Sequence, residues 1–431
     1  MSLPSSPDFR LLARLFLGLW LLALPPGIAD AQPLAQDQAK FLGAAFSPPQ
    51  REGFAQFWNK LSPENAGKWG EVEAVRDVMD WTALDEAYRY ARQHGMPFQF
   101  HVLVWGNQQP EWIRHLPGDE QRAEIEQWFA AVAERYPDIE IVEVVNEPLH
   151  DPPCSDDVDG GNYCEALGGA GETGWDWIIE SFRLARQHFP RAQLLLNDYS
   201  ITNSPDNTRR YREIVDLLQA RGLIDGVGVQ GHAFSTSCET PVEVHRAALD
   251  LLGASGLPLY VTELDIDGHT DADQLAHYQR IFPLFWEHPS VAGITLWGFR
   301  PGLWRQEQRA YLIDEGGRER PALRWLRDYV AGRVQAKPEP CPAPASVLDR
   351  PITGALALIE NGRPLPLLID AEDVEAVQRA GAAVRRDLQA LAGAEPLADS
   401  PHAIIAGTLG RSPRIDRMVA AGKLEVDDLA G

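Results

Sequence analysis

Two short segments place an acidic residue where an apolar run ends: Val144-Val145-Asn146-Glu147-Pro148 and Val261-Thr262-Glu263-Leu264-Asp265. A carboxylate at that point is a costly choice for a core and calls for a reason other than packing. Two carboxylates from different strands of one sheet can face each other across a cleft. Cleavage of a glycosidic bond needs such a pair, one group as acid and the other as nucleophile or base. The acid must then hold its proton while its partner stays ionised. Either glutamate alone could be an ordinary rim charge, but two in equivalent positions favour chemistry.

The elements that would position them repeat along the chain. From Phe41 to about Ala331, short β-rich apolar runs alternate with longer amphipathic stretches, the signature of βα units. Eight strands are predicted: Phe41 to Ala45, Trp58 to Leu61, Phe98 to Trp105, Ile139 to Asn146, Gln193 to Asn197, Gly226 to Gln230, Leu259 to Thr262 and Gly293 to Trp297. Eight such units close into a (β/α)8 barrel of the α/β class, with function expected where strands end and loops begin. Between them, Trp81 to His94 sets Leu84, Ala87, Tyr88 and Ala91 at helical spacing, which assigns those residues to the core. Trp175, Trp177, Phe182 and Leu184 read the same way.

At 431 residues the chain exceeds one barrel, which uses about 250. Its net charge of −23 argues against nucleic acid, whose phosphates require a basic surface, and would not help an anionic polysaccharide to bind. The charge therefore serves solubility. At the N-terminus, Arg10 and Arg14 precede the apolar run Leu15 to Leu24, and Ala29-Asp30-Ala31 offers small residues for cleavage. Residues 1–31 thus read as a signal peptide for a secreted or periplasmic protein; the alternative is an anchoring helix, for which the run is short of the roughly 20 residues a span needs. No membrane span is expected after cleavage. Cys154 and Cys164 share one Gly- and Asp-rich loop, where an oxidising compartment permits a disulfide, and no cysteine has the CxxC spacing of a zinc site. A barrel domain over 32–333 is followed by a proline-rich linker over 334–350, which contains Lys337-Pro338-Glu339-Pro340-Cys341-Pro342-Ala343-Pro344. Residues 351–431 turn globular again, with strands at Leu365 to Ile369 and Ala403 to Ala406 and a helix at Ala371 to Ala392.

The strand ends also carry a resemblance. Glu64-Asn65-Ala66-Gly67-Lys68-Trp69, His101-Val102-Leu103-Val104-Trp105, Asn146-Glu147, Asn197-Asp198-Tyr199, Asp225 to His232, Thr262 to Asp265 and Leu296-Trp297-Gly298 match, in order, glycoside hydrolase family 10, the endo-β-1,4-xylanases. The resemblance implies a retaining enzyme acting on xylan or glucuronoxylan without a cofactor or metal, its carboxylates about 5 Å apart. It implies Glu147 as acid/base, Glu263 as nucleophile, His232 as the residue orienting the nucleophile and Asn146 as the partner of the sugar 2-hydroxyl. Glu64, Asn65, Lys68, His101 and Gln230 match positions that grip the glycone sugars, Trp297 and Trp304 offer stacking faces, and Tyr199 matches a position on the leaving-group side. For Trp105 and Trp69, packing and ligand contact are both consistent.

Two departures bear on substrate fit. Trp105-Gly106-Asn107-Gln108 lacks the histidine usual after strand three, and Trp297 to Trp304 is one residue shorter than the usual pattern. Another retaining barrel hydrolase acting on cellulose or mannan, or a non-catalytic carbohydrate-binding barrel, remains an alternative. The tail, from Pro364-Leu365-Pro366-Leu367-Leu368-Ile369-Asp370 through Ala406-Gly407-Thr408-Leu409-Gly410-Arg411-Ser412, resembles the start of xylan α-glucuronidases of glycoside hydrolase family 115, as a partial domain; an independent accessory domain is the other reading. The Gly407 to Ser412 loop lacks the lysine of a phosphate-binding loop and suits packing.

Overall fold

The apolar runs pair as parallel strands in the computed structural model, which describes residues 32–154, 162–336, 358–360, 362–371, 373–396, 403–421 and 423. The proposed signal segment, most of the linker and Cys341 lie outside the described residues. The strands are β1 Phe41–Phe46, β2 Leu61–Pro63, β3 Gln99–Phe100, β4 Ile141–Asn146, β5 Gln193–Asn197, β6 Gly226–Val229, β7 Leu259–Leu264 and β8 Val291–Leu296. They form one sheet in the order β2-β1-β8-β7-β6-β5-β4-β3. Its two edges meet through a parallel bridge between Leu61 and Phe98 and a bond from Leu61 N–H to Pro97 O at 3.1 Å, so the sheet closes as the expected (β/α)8 barrel.

Parallel neighbours require a crossover after each strand. Here those crossovers carry α1 Phe54–Phe57, α2 Thr82–Gln93, α3 Gly118–Arg135, α4 Asp176–His188, α5 Pro205–Gln219, α6 Val242–Gly253 and α7 Asp271–Trp286, and α8 Pro321–Val330 follows β8. With helices outside and side chains inside, β4 and β7 are buried along their whole length, which is why their sequences run apolar instead of alternating. Leu84, Ala87 and Ala91 of α2 and Trp177, Phe182 and Leu184 of α4 are core residues, as their spacing predicts. Ser204 and Thr270 cap α5 and α7 by accepting from Asn207 N–H and Asp273 N–H.

Of the expected strands, Gln193–Asn197 is matched at both ends, five others agree within two residues at each end, and two depart further. The second strand, expected at 58–61, lies at Leu61–Pro63, because Trp58 closes α1 and Asn59 is held against β1. Asn59 N–H donates to Leu42 O at 3.1 Å, and its Oδ1 accepts from Leu42 N–H at 2.9 Å. The third, expected over 98–105, is regular only at Gln99–Phe100. Beyond it, Leu103 and Val104 N–H still reach Glu143 O and Val144 O at 3.1 and 3.0 Å, so the segment follows β4 irregularly. Inside the barrel, Gly43 makes room for the buried Lys60, since a Cβ there would sit 2.7 Å from Lys60 Cδ.

The chain divides into two compact units, Met1–Pro342 and Ala343–Gly431. In the second, β9 Ile359–Glu360 pairs antiparallel with β10 Arg363–Pro364, and β11 Leu367–Leu368 pairs parallel with β12 Ile404–Ile405. Its helices are α9 Glu375–Ala392 and α10 Pro413–Ala420. Both expected strands are shorter than predicted, and the helix starts at Glu375 instead of residue 371. Residues 370 and 373 are committed elsewhere: Asp370 accepts from Ser412 Oγ at 2.6 Å and Arg414 N–H at 2.9 Å, and Asp373 accepts from Val374 and Thr408 N–H, both at 2.8 Å. The 407–412 loop is thus pinned by carboxylates, in keeping with a packing role.

Candidate active site

Every residue expected in the site lines one cleft of about 600 Å³ at the C-terminal ends of the barrel strands. The cleft also takes in Asn107, Gln108, Asp151 and Phe234, which sequence reasoning had not placed there.

Glu147 is the first residue after β4 and adopts a left-handed backbone, φ 55°, unusual outside glycine. Strain of this kind persists only where surroundings over-determine it. Here Glu147 N–H is tied to Asn197 O at 2.8 Å, and its main-chain O accepts from His150 and Asp151 N–H at 3.1 and 2.9 Å. Its side chain is only 7% exposed and accepts from Trp105 Nε1 at 2.6 Å and Gln230 Nε2 at 2.7 Å. Burial pushes its pKa up to about 8 against the bond from Gln230, and the charges of Glu263, Asp198 and Asp151 add to the rise.

Glu263, near the end of β7 and 4% exposed, meets the opposite environment. Burial would raise its pKa, but the bond from His232 and the charges of His101, His232 and Lys68 hold it below the ordinary carboxylate range. Asn197 Nδ2 donates to its Oε1 at 2.8 Å, and His232 Nε2 lies 3.3 Å from its Oε2. The other ring nitrogen of His232 meets Asp265 Oδ2 at 2.6 Å. Burial opposes a charged imidazole, but Asp265 and Glu263 together raise His232 to about 10, so both ring nitrogens donate at neutral pH. Asp265 also accepts from Ala233 N–H at 2.8 Å and Trp304 Nε1 at 3.0 Å, fixing the loops after β6 and β8 to the same carboxylate.

Beneath the pair, Asn197 links the two strand ends. Its Nδ2 lies within 3.0 Å of Glu143 Oε2, Asn146 Oδ1 and Glu263 Oε1, while its Oδ1 accepts from Thr262 Oγ1 at 2.7 Å. Asn146 Oδ1 also accepts from Gln230 Nε2 at 3.2 Å. His101 Nδ1 meets the fully buried Glu143 at 2.9 Å, and Gln99 bonds the same carboxylate. Carboxylate and imidazole atoms of His101, Glu143 and Glu263 lie close enough together to hold a metal ion. Their hydrogen bonds to one another, Asn197 and His232 account for the arrangement without one. The buried Lys60 lies lower, donating to Thr295 Oγ1 at 2.7 Å, with burial pushing its pKa down to about 7 against the charges of Glu143 and Glu263.

On the β2–β3 side, Lys68 Nζ donates to Asn65 Oδ1 at 2.7 Å and Gln108 Oε1 at 2.5 Å, and sits 4.9 Å from the Trp105 ring centroid. Burial raises the pKa of Glu64. Trp297 is buried beside His101, whereas Trp304 is half exposed at the rim, 4.9 Å from the His232 ring and with the Arg305 guanidinium 5.5 Å over its own ring. Trp105 and Trp69 separate: Trp105 lines the cleft, and Trp69 is a core residue stacked on Trp128. Tyr199 stacks on His150, 4.0 Å between centroids. At the first departure, Gly106 N–H donates to Asp151 O at 2.9 Å, and a Cβ on Gly106 would lie 2.3 Å from that oxygen. The loop after β4 occupies the space a side chain at 106 would need. That loop is closed by the Cys154–Cys164 disulfide, and Tyr163 ties it to Trp105 O at 3.0 Å.

Residues 33–329 match the family described as glycosyl hydrolase family 10. The chain belongs to this family. It is 40% identical over 292 residues to endo-1,4-beta-xylanase B of Cellvibrio japonicus, covering 67% of this chain and 45% of that protein. It is 25% identical over 314 residues to the bifunctional endo-1,4-beta-xylanase XylA of Ruminococcus flavefaciens, covering 65% of this chain and 32% of that one. The chain therefore spans less than half the length of these two relatives. The crystal structure of native xylanase 10B from Thermotoga maritima superposes with a TM-score of 0.58 at 26% identity, covering 70% of this chain and 97% of that chain. Within this family 10 barrel, Asn197 and Asp265 stood in the matched segments, and their signal was the one that exposed the glutamates, a polar residue at a strand end. Glu143 gave a weaker one, an acid inside an otherwise apolar strand. Asp151 and Phe234 gave none, since only loop packing brings them to the cleft.

Proposed function

We propose that the barrel is an endo-1,4-β-xylanase that cleaves internal β-1,4-xylosidic bonds of xylan or glucuronoxylan with retention. The observation that carries this reading is the opposite tuning of two buried carboxylates in one cleft, Glu147 raised to about 8 by burial and Glu263 held low by His232, His101 and Lys68, with His232 itself kept charged by Asp265. Glu147 donates its proton to the glycosidic oxygen while Glu263 attacks the anomeric carbon and forms a glycosyl ester. Glu147, now ionised, takes a proton from the water that hydrolyses that ester. Asn146 has its oxygen engaged by Asn197 and Gln230, which leaves its Nδ2 protons for the sugar 2-hydroxyl. Glu64, Asn65, Lys68, His101 and Gln230 bind glycone sugars, Trp105, Trp297 and Trp304 supply aromatic faces, and Tyr199 borders the leaving group. The names of the related xylanases support xylan as the substrate.

The arginines and apolar run of 1–31 support export to the periplasm or medium. Among the described residues, no helix is long and apolar enough to cross a membrane. The tail is read as the start of a family 115-like α-glucuronidase domain, supported by its matched segments, and would pair backbone cleavage with removal of glucuronic acid branches. Reducing-end release from xylan, carboxymethylcellulose and mannan, measured side by side, tests the main reading. Turnover confined to the latter two would overturn it, and no turnover of any would favour a binding barrel.

A further inference from the structure

Strands β4 and β5 pair with Asn146 opposite Asn197, so the turns that leave them, 147–150 and 198–199, run side by side. In the first turn His150 N–H donates to Glu147 O at 3.1 Å. The His150 side chain has no part in the chemistry above, yet three contacts fix it. Its Nδ1 meets Oδ1 of the fully buried Asp198 at 2.6 Å, and its Nε2 lies 3.2 Å from Asn207 Nδ2 in the first turn of α5. Its ring stacks on Tyr199, with 4.0 Å between centroids and 24° between planes. Because the Asn207 amide donates, Nε2 is the acceptor and Nδ1 carries the proton given to Asp198. Asp198 also accepts from Leu149 N–H at 2.9 Å and Tyr199 N–H at 2.8 Å, one from each turn, so imidazole and carboxylate tie the two turns together. The Tyr199 ring, which lines the cleft, is thereby held with one face on His150, its edge 5.6 Å from the Phe234 ring centre and its hydroxyl 3.4 Å from Asp151 Oδ2.

We propose that His150 is a positioning residue that fixes Tyr199 against the leaving-group sugar, an inference that rests on the proposed xylanase activity and on the place of Tyr199 at that side of the cleft. The turn that ends at His150 begins at Glu147, so one short piece of chain sets both the proton donor and the backing of the ring that meets the departing sugar. A ring already packed in its working orientation loses little freedom when the sugar arrives, and the sugar's oxygen is delivered at a fixed distance from the acid. A substrate with an activated phenol as leaving group gains less from this, because its departure needs neither a bound sugar nor much help from the acid.

The test is a double-mutant cycle on xylotetraose and on 4-nitrophenyl xylobioside. His150→Asn keeps an amide N–H for the buried Asp198 and removes the ring; Tyr199→Ala removes the surface that the ring backs. His150→Asn should lower kcat/KM for xylotetraose roughly three- to tenfold more than for 4-nitrophenyl xylobioside, the scale of one lost aromatic contact. In the Tyr199→Ala background the same substitution should have almost no further effect on xylotetraose, because its target is gone. His150→Phe, which keeps a ring against Tyr199 and drops the bond to Asp198, should recover part of the preference for xylotetraose. An equal loss on both substrates with His150→Asn, or its full effect persisting without Tyr199, overturns the positioning role. Unchanged xylotetraose turnover in Tyr199→Ala overturns the place of Tyr199 at the leaving group and this inference with it. Failure of wild type on both substrates is a different result, which overturns the xylanase reading beneath.

Discussion

Glu147→Gln separates the two consequences of burying an acid. In the wild type, Glu147 has a pKa raised from 4.5 to about 8, with burial as the main cause. The folded state therefore binds a proton that the unfolded state has released between those values, and by linkage its stability falls as pH rises through that window. At 1.36 kcal/mol per pKa unit, the loss is about 3 kcal/mol at pH 7 and about 5 kcal/mol above pH 9, relative to pH 4. Glutamine cannot ionise and escapes this loss. It does surrender one of the carboxylate's acceptors for Trp105 Nε1 and Gln230 Nε2, a cost of about 1 kcal/mol that does not vary with pH. The variant should be slightly less stable than wild type at pH 4 and more stable at pH 9, with a crossing between. Urea unfolding of both proteins from pH 4 to 9, with midpoints and slopes compared at each pH, measures the difference directly. A difference that stays flat between pH 5 and 8.5 would refute the view that Glu147 is a buried acid with a displaced pKa. The same value places the basic limb of the wild-type kcat/KM profile near pH 8, which Glu147→Gln should abolish along with most turnover of unactivated substrates.

Three further outcomes follow from the site. Glu263→Ala should lower hydrolysis on the order of 10⁴-fold or more while leaving circular dichroism and solubility near wild type, and wild-type-like xylan cleavage would refute its assignment as nucleophile. Asp265→Asn removes the charge that keeps His232 protonated, so the Glu263 pKa should rise, the acidic limb of kcat/KM should move to higher pH, and kcat should fall about tenfold or more; a profile superposable on wild type would show that His232 is not held by Asp265. Gly106→His should lower the melting temperature by the equivalent of about 1–3 kcal/mol, because its Cβ would collide with Asp151 O and Pro152 O; scanning calorimetry showing no loss would mean the loop after β4 yields easily.

The pattern of the chain alone determined the barrel and the two glutamates. Fully buried parallel strands must be apolar, so each polar residue that interrupts a strand end stands out against its neighbours, and Asn146, Glu147, Gln230, His232 and Glu263 all do so. Strand ends in β2 and β3 were misplaced because they depend on particular bonds, Asn59 to Leu42 and Val104 to Val144, that hydrophobic pattern does not encode. The assignment of acid and nucleophile by physics needed the tertiary structure. Both groups are glutamates ending similar strands, and only the packed surroundings, burial with the charges of Glu263, Asp198 and Asp151 around one and the charged His232 backed by Asp265 beside the other, drive their pKa values apart. The same holds for Asp151. Its place in the cleft is set by a loop folded back onto Gly106, a contact between residues 45 positions apart that no local pattern announces, since long-range packing is decided by the closed barrel and not by neighbouring residue types.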